Sequence, residues 1–302
     1  MIVAGAFLFG LIIGSFLNVC ILRIPNDESV VAPPSHCPAC GAGIKPYDNI
    51  PVVSWLLLRG RCRKCKARIS PQYPAVELLT GLLFVACYLM FGWSFEALKW
   101  AVFAALLVVL TVTDLRERIL PDVVNFTGLG LGLLLSLFTA PVDGTAGWIA
   151  GRLFGSSLPQ PALSLADALI GAAAASGLLW IVAEGYFRLR GREGMGLGDV
   201  KMMAMAGAFL GLQRALLTIL LGSLLGTVVG SITILCLFIF GYKRAVADRA
   251  ARMGLGSATS IRFVLARRYQ LPFGTYLGAG GMATVFFGST TLAWYRSFLA
   301  LP

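Results

Sequence analysis

The chain has 302 residues, 58% of them hydrophobic and 13% charged, with a mean hydropathy of +0.82. A soluble domain carries about 25% charged residues, so the composition excludes an ordinary soluble fold and indicates an all-α integral membrane protein. The net charge of +11 is accounted for by basic loops that set membrane topology, which leaves no role for a nucleic-acid partner.

Met1 to Cys20 is apolar, lacks a basic region ahead of it and is followed by Arg23, so it reads as a retained span rather than a cleaved signal. Gly10 and Gly14 lie one turn apart and would let a neighbouring helix approach closely. Including this first run (2–22), stretches long enough to span also fall near 74–92, 97–113, 123–140, 166–187, 214–241 and 272–298. A shorter run, 199–212, begins at Asp199 and brings the expected number of transmembrane segments to about eight.

The distribution of basic residues supports that number. With the N-terminus outside, twenty-one of the twenty-five Lys and Arg fall in inner segments, and only Lys99, Arg152, Arg214 and Arg296 fall outside. Without a crossing at 199–212, the basic segment 243–268 would move to the outer side. On this parity Asp114 follows three crossings and Asp199 five, so both carboxylates reach the cytoplasmic face. An ionisable side chain at the edge of lipid is costly and marks a functional candidate.

Between the first two spans lies a polar stretch, 23–73, with Cys37-Pro-Ala-Cys40 and Cys62-Arg-Lys-Cys65. Two such pairs have the spacing of a tetrahedral zinc site, each turn supplying two thiolates. Disulfides are the alternative, and a cytoplasmic position argues against them. Four protein ligands would complete zinc's shell, making the metal structural. His36, the single histidine, adjoins Cys37 and is expected to be an ordinary loop residue. Cys20, Cys87 and Cys236 lie in apolar runs and read as small core residues. The basic run from Arg61 to Arg68 suits anionic lipid headgroups.

Each acidic candidate also has a plain structural reading. Asp114 would pair with Arg116 or Arg118 at a helix end. Asp199 would cap a short helix after the glycine-rich loop of Gly194, Gly196 and Gly198. Asp122 is either a turn or cap after Pro121 or a rival catalytic group. Glu184 and Arg188 have the spacing of an ion pair on one helix. Glu77 faces the cysteine segment's side of the membrane. The conjunction of two carboxylates with a pliable glycine loop favours chemistry, because two close carboxyls can divide the roles of acid and base in peptide hydrolysis.

These residues resemble the type IV prepilin peptidases, bifunctional membrane aspartyl peptidases and N-methyltransferases of bacteria. The resemblance runs through Gly14-Ser-Phe-Leu-Asn18-Val19, the paired cysteines, Tyr73-Pro-Ala-Val-Glu77-Leu78, Asp114 with Leu120-Pro-Asp122, Gly196-Leu-Gly-Asp199-Val-Lys201 and Pro272-Phe-Gly274. The resemblance implies catalytic aspartates at Asp114 and Asp199. It also implies cleavage of a basic leader from type IV prepilins or type II secretion pseudopilins at the cytoplasmic membrane face. Methylation of the new N-terminus with S-adenosylmethionine would follow. The division it implies is a first transmembrane helix (1–22), a four-cysteine zinc segment associated with methylation (23–73) and a membrane peptidase domain (74–302). Two departures stand out: Thr275 replaces a proline common in the family, and 243–268 is longer than usual. Neither is expected to touch the catalytic pair.

Asp199 starts a helix near Lys201, so it is expected to begin as the base, with Asp114 as the acid. A transporter using the two aspartates as an ion relay and a zinc metallopeptidase are the rival readings.

Overall fold

The computed structural model describes residues 1–154, 158–192, 194–239 and 272–299; the basic segment 243–268 and the side chain of Cys236 lie outside the described residues. The helices are α1 (Ile2–Arg23), the short α2 (Val53–Leu57), α3 (Gln72–Phe91), α4 (Phe95–Glu117), α5 (Asp122–Ser136), α6 (Thr145–Phe154), α7 (Gln160–Arg190), α8 (Leu197–Ile239) and α9 (Phe273–Leu299). No strand occurs among the described residues, only two isolated bridges in the cysteine segment. Five helices, α1, α3, α4, α7 and α8, are long and apolar enough to cross a membrane, and α5 is a shorter apolar helix.

The eight apolar runs of the sequence fall on α1, α3, α4, α5, α7, the two halves of α8, and α9. The short run and its successor are halves of one long element broken at Gly211, whose φ of 71° and ψ of −175° are not helical. A side chain there would be strained by that φ and would meet Asp143 Oδ2 at 2.7 Å. Asp143 Oδ2 accepts the Gln213 backbone N–H at 2.6 Å and so caps the second half.

Helix α4 runs through the middle of the bundle. Phe103, Leu107 and Leu110 on it are fully buried, as are Met203, Met205 and Phe209 of α8 and Leu277 of α9. The rings of Phe103 and Phe209 stack 4.8 Å apart. Outward-facing Leu8, Phe9, Ile12, Leu82, Leu89, Ile232 and Phe287 are exposed, which gives the bundle an apolar coat suited to lipid. Between such helices water drives no association, so close packing and buried polar contacts carry the contact energy.

The α1–α3 pair uses both. A Cβ on Gly14 would sit 2.7 Å from the Cα of Glu77, so the helices touch backbone to backbone as the Gly10/Gly14 spacing predicts. Asn18 Nδ2 donates across the same contact to Tyr73 O at 3.0 Å. Gly14→Val is expected to destabilise the chain by about 1–3 kcal/mol through overpacking, read as a lower thermal midpoint in detergent. An unchanged midpoint would mean that the helices can part without cost. Cys20 and Cys87 are buried, in keeping with small core residues. Glu184 and Arg188 form the expected i,i+4 ion pair at 2.7 Å.

Candidate active site and metal centre

The two cysteine pairs fold as matching turns. Gly41 N–H donates to Cys37 O at 2.8 Å, and Lys66 N–H donates to Cys62 O at 3.0 Å. Gly41 and Lys66 take equivalent left-handed conformations, with φ of 68° and 61°. The four sulfurs of Cys37, Cys40, Cys62 and Cys65 all lie within 4.8 Å of one another, and Cys37 Sγ is 3.8 Å from Cys65 Sγ. A zinc tetrahedron with bonds of about 2.3 Å places its sulfurs about 3.8 Å apart, so the four thiols fit that ion. None of them is joined in a disulfide.

The local electrostatics agree with a cation. Backbone N–H groups of Cys65 and Lys64 pull the Cys62 thiol down to about 6. Cys65, although the Ala67 N–H favours its thiolate, is pushed up to about 11 by desolvation and by the surrounding thiols. Four thiols this close cannot all ionise unless a cation sits among them. His36 is exposed, with Nδ1 3.3 Å from Pro34 O, and stays outside the cluster. Arg63 clasps Asp48 with two nitrogens at 2.6–3.1 Å, which ties the second turn to the loop between the pairs. Glu77 accepts the Val52 N–H at 2.7 Å and anchors that loop to α3.

Asp114 lies in the last turn of α4 and Asp199 in the first turn of α8; both are buried. They are close enough for the charge of Asp114 to act on Asp199. Arg116, two residues beyond Asp114, donates to Gln72 Oε1 at 3.2 Å and so links this end of α4 to the start of α3 below the cysteine segment. The plain readings of the aspartates hold in part, although both carboxyls are buried rather than facing water. Arg116 turns to Gln72 rather than to Asp114, although Arg118 adds its charge nearby. Asp199 lies in the first turn of the helix that begins at Leu197, two residues past its start, and its carboxyl accepts the Gly196 N–H and so caps that end from inside the turn.

The third element of the site was not legible in the sequence. Thr275, in the first turn of α9, donates to Asp114 Oδ2 twice, from N–H at 2.6 Å and from Oγ1 at 2.9 Å. The expectation that this departure leaves the pair untouched is therefore corrected. A proline at 275 would lack the N–H, and no sequence pattern brings the head of α9 to the end of α4. Leu120 fills the space between glycines in the first turns of α8 and α9: a Cβ on Gly198 would meet its Cβ at 3.0 Å, and one on Gly274 its Cδ1 at 2.9 Å. Asp122 has a cationic partner of its own. It heads α5 and pairs with Lys201 Nζ at 2.7 Å. Lys201 is thereby engaged away from Asp199, which removes one of the two reasons for assigning Asp199 as the base.

Known proteins are similar in sequence over most of the chain. A family model described as the Bacterial Peptidase A24 N-terminal domain matches residues 8–91, and one described as the Type IV leader peptidase family matches residues 101–231. A prepilin leader peptidase/N-methyltransferase of Myxococcus xanthus (strain DK1622) is 41% identical over 229 residues, covering 76% of this chain and 62% of the relative. Proteins of the same name from Aeromonas hydrophila and Xanthomonas campestris are each 35% identical. Their alignments cover 96% and 97% of this chain and 92% and 93% of the relatives. No solved structure matches.

Proposed function

The chain belongs to the type IV leader peptidase family, and on that footing we propose that it cleaves the leader of prepilins or pseudopilins and then methylates the new N-terminus. The observation that carries the peptidase reading is the meeting of two buried carboxyls, Asp114 and Asp199, at the ends of α4 and α8. We place them at the cytoplasmic face of a multi-pass inner-membrane protein whose N-terminus is outside. There the apolar helix of the substrate would lie against the spans while its basic leader stays in water.

The hydrogen bonds suggest how the two carboxyls divide the work. Both Thr275 donors meet Oδ2 of Asp114, whereas Asp199 receives one backbone N–H. Asp114 is therefore assigned as the ionised partner, the reverse of the assignment drawn from helix ends alone. Its Oδ1 takes a proton from water as the hydroxyl adds to the scissile carbonyl carbon. Asp199 gives its proton to the carbonyl oxygen. The tetrahedral intermediate then collapses: Asp114 passes its proton to the departing nitrogen, and Asp199 recovers one from the geminal hydroxyl. Thr275→Val removes one charge-assisted donor while keeping the fold of α9. It is expected to slow cleavage roughly tenfold, with Thr275→Ser restoring the rate. Equal rates in all three chains would remove Thr275 from the mechanism.

Cys37, Cys40, Cys62 and Cys65 would hold zinc, which supplies a structural cross-link for the segment 23–73 and takes no part in the peptidase steps. We assign that segment to methylation, with S-adenosylmethionine as donor, and 74–302 to cleavage. The test is the mass of a prepilin after incubation with the purified chain and S-adenosylmethionine. Loss of the leader together with one added methyl group supports the reading. An uncut substrate would refute it.

A further inference from the structure

The polar cysteine segment contains an apolar loop. Residues 50–58, Ile-Pro-Val-Val-Ser-Trp-Leu-Leu-Leu, include a single polar side chain. That side chain, Ser54, is buried, whereas Ile50, Val53, Leu56 and Leu57 are exposed, Leu57 at 77%. An exposed apolar patch of this kind marks a surface that something apolar covers.

Contacts with α1 and α3 set the height of the loop. Glu77, which accepts the Val52 N–H at 2.7 Å, lies beside Gly14 of α1. Gly14 is nine residues before the end of α1 at Arg23, about 13 Å along the axis, and Glu77 is five residues, about 7 Å, beyond the start of α3. Both helices are long and apolar enough to span, so α2 begins below their ends rather than above them. The backbone is prepared for apolar surroundings. Val53 N–H donates to Pro51 O at 2.6 Å, closing a tight reversal with Val52 at the left-handed φ of 62°, which is costly for a β-branched residue. Ser54 Oγ accepts the Ile50 N–H and donates to Tyr47 O, both at 3.0 Å. Polar groups paired in this way are what a loop at membrane depth requires.

The second cysteine turn rests on α2. Trp55 Nε1 donates to Ile69 O at 3.2 Å, and a Cβ on Gly60 would meet the Trp55 ring at 2.9 Å. Arg59, Arg61, Lys64, Lys66 and Arg68 of that turn are exposed and form no ion pair among the described residues; Arg63 alone is paired, with Asp48. A basic peptide would be repelled there, whereas anionic headgroups above an apolar layer match both features. We propose that residues 50–58 dip into the membrane surface on the cysteine side, with Val53, Leu56 and Leu57 among the acyl chains and the five cations on anionic phospholipid headgroups.

The test uses the full chain in nanodiscs of phosphatidylcholine, with and without phosphatidylglycerol. Leu57 is replaced by photoreactive benzoylphenylalanine, and hydrogen exchange follows the amides of 50–58 in the unmodified chain. Irradiation is expected to attach phospholipid at position 57. Phosphatidylglycerol is expected to slow exchange roughly fivefold or more, an effect that Arg59→Gln, Arg61→Gln and Arg68→Gln together abolish. Leu56→Ser with Leu57→Ser is expected to speed exchange in both membranes, while exchange in α3 and the cysteine turns reports that the fold is kept. No phospholipid adduct at position 57, or exchange that ignores both the lipid charge and the two serines, would overturn the proposal. So would an adduct with an added prepilin peptide in place of lipid, which would assign the loop to the substrate.

Discussion

Asp199→Asn is expected to lower leader cleavage by about a thousandfold or more, with Asp114→Asn close behind. The amide keeps the shape and the Gly196 hydrogen bond but can neither hold nor release the proton that the carbonyl oxygen needs. The same change relieves a buried carboxyl that faces another. The Asp199→Asn chain should therefore melt at the wild-type temperature or above it, a site-bound conflict between stability and activity. A folded Asp199→Asn chain with wild-type cleavage would remove Asp199 from the chemistry.

Cys62→Ser is expected to strip the metal from the cysteine segment and open it to protease. A structural zinc site contributes on the order of 10 kcal/mol to its segment, far more than the few contacts that otherwise hold residues 23–73. The loop keeps the Arg63–Asp48 ion pair, which is exposed and contributes little, and the Val52–Glu77 hydrogen bond. Metal analysis should find zinc in the wild type and almost none in the variant, with new proteolytic cuts confined to 23–73. On the proposed division of labour, methylation is lost while cleavage persists in part. Zinc retained by Cys62→Ser would contradict a four-thiol site.

The helices were legible because lipid imposes a length: each apolar run of the sequence falls on a helix, and five of the described helices, against about eight expected, are long and apolar enough to cross a membrane. The break inside α8 was visible as the end of the short run 199–212, although its cause, the Asp143 cap at Gly211, is a tertiary contact. Helix α6 was not anticipated, since its ten residues fall below any spanning length. The cysteine cluster followed from spacing alone, because two residues between thiols define a turn whatever surrounds it. The acid–base assignment did not follow. Helix ends and sequence neighbours pointed to Asp199 as base, but Lys201 reaches across to Asp122, and Thr275, 161 residues from Asp114, supplies the donors on which the reverse assignment is proposed. Side-chain partners that are distant in sequence leave no periodicity to read.

The shared role of the two carboxyls is tested most directly by the single-turnover cleavage rates of Asp114→Asn, Asp199→Asn and the double variant, with folding checked for each. Groups that act as one unit lose little more when both are removed than when one is. The expected result is a residual rate in the double variant within a few-fold of either single variant. A double variant slower by the product of the two single losses would contradict a dyad, as would wild-type cleavage in either single variant.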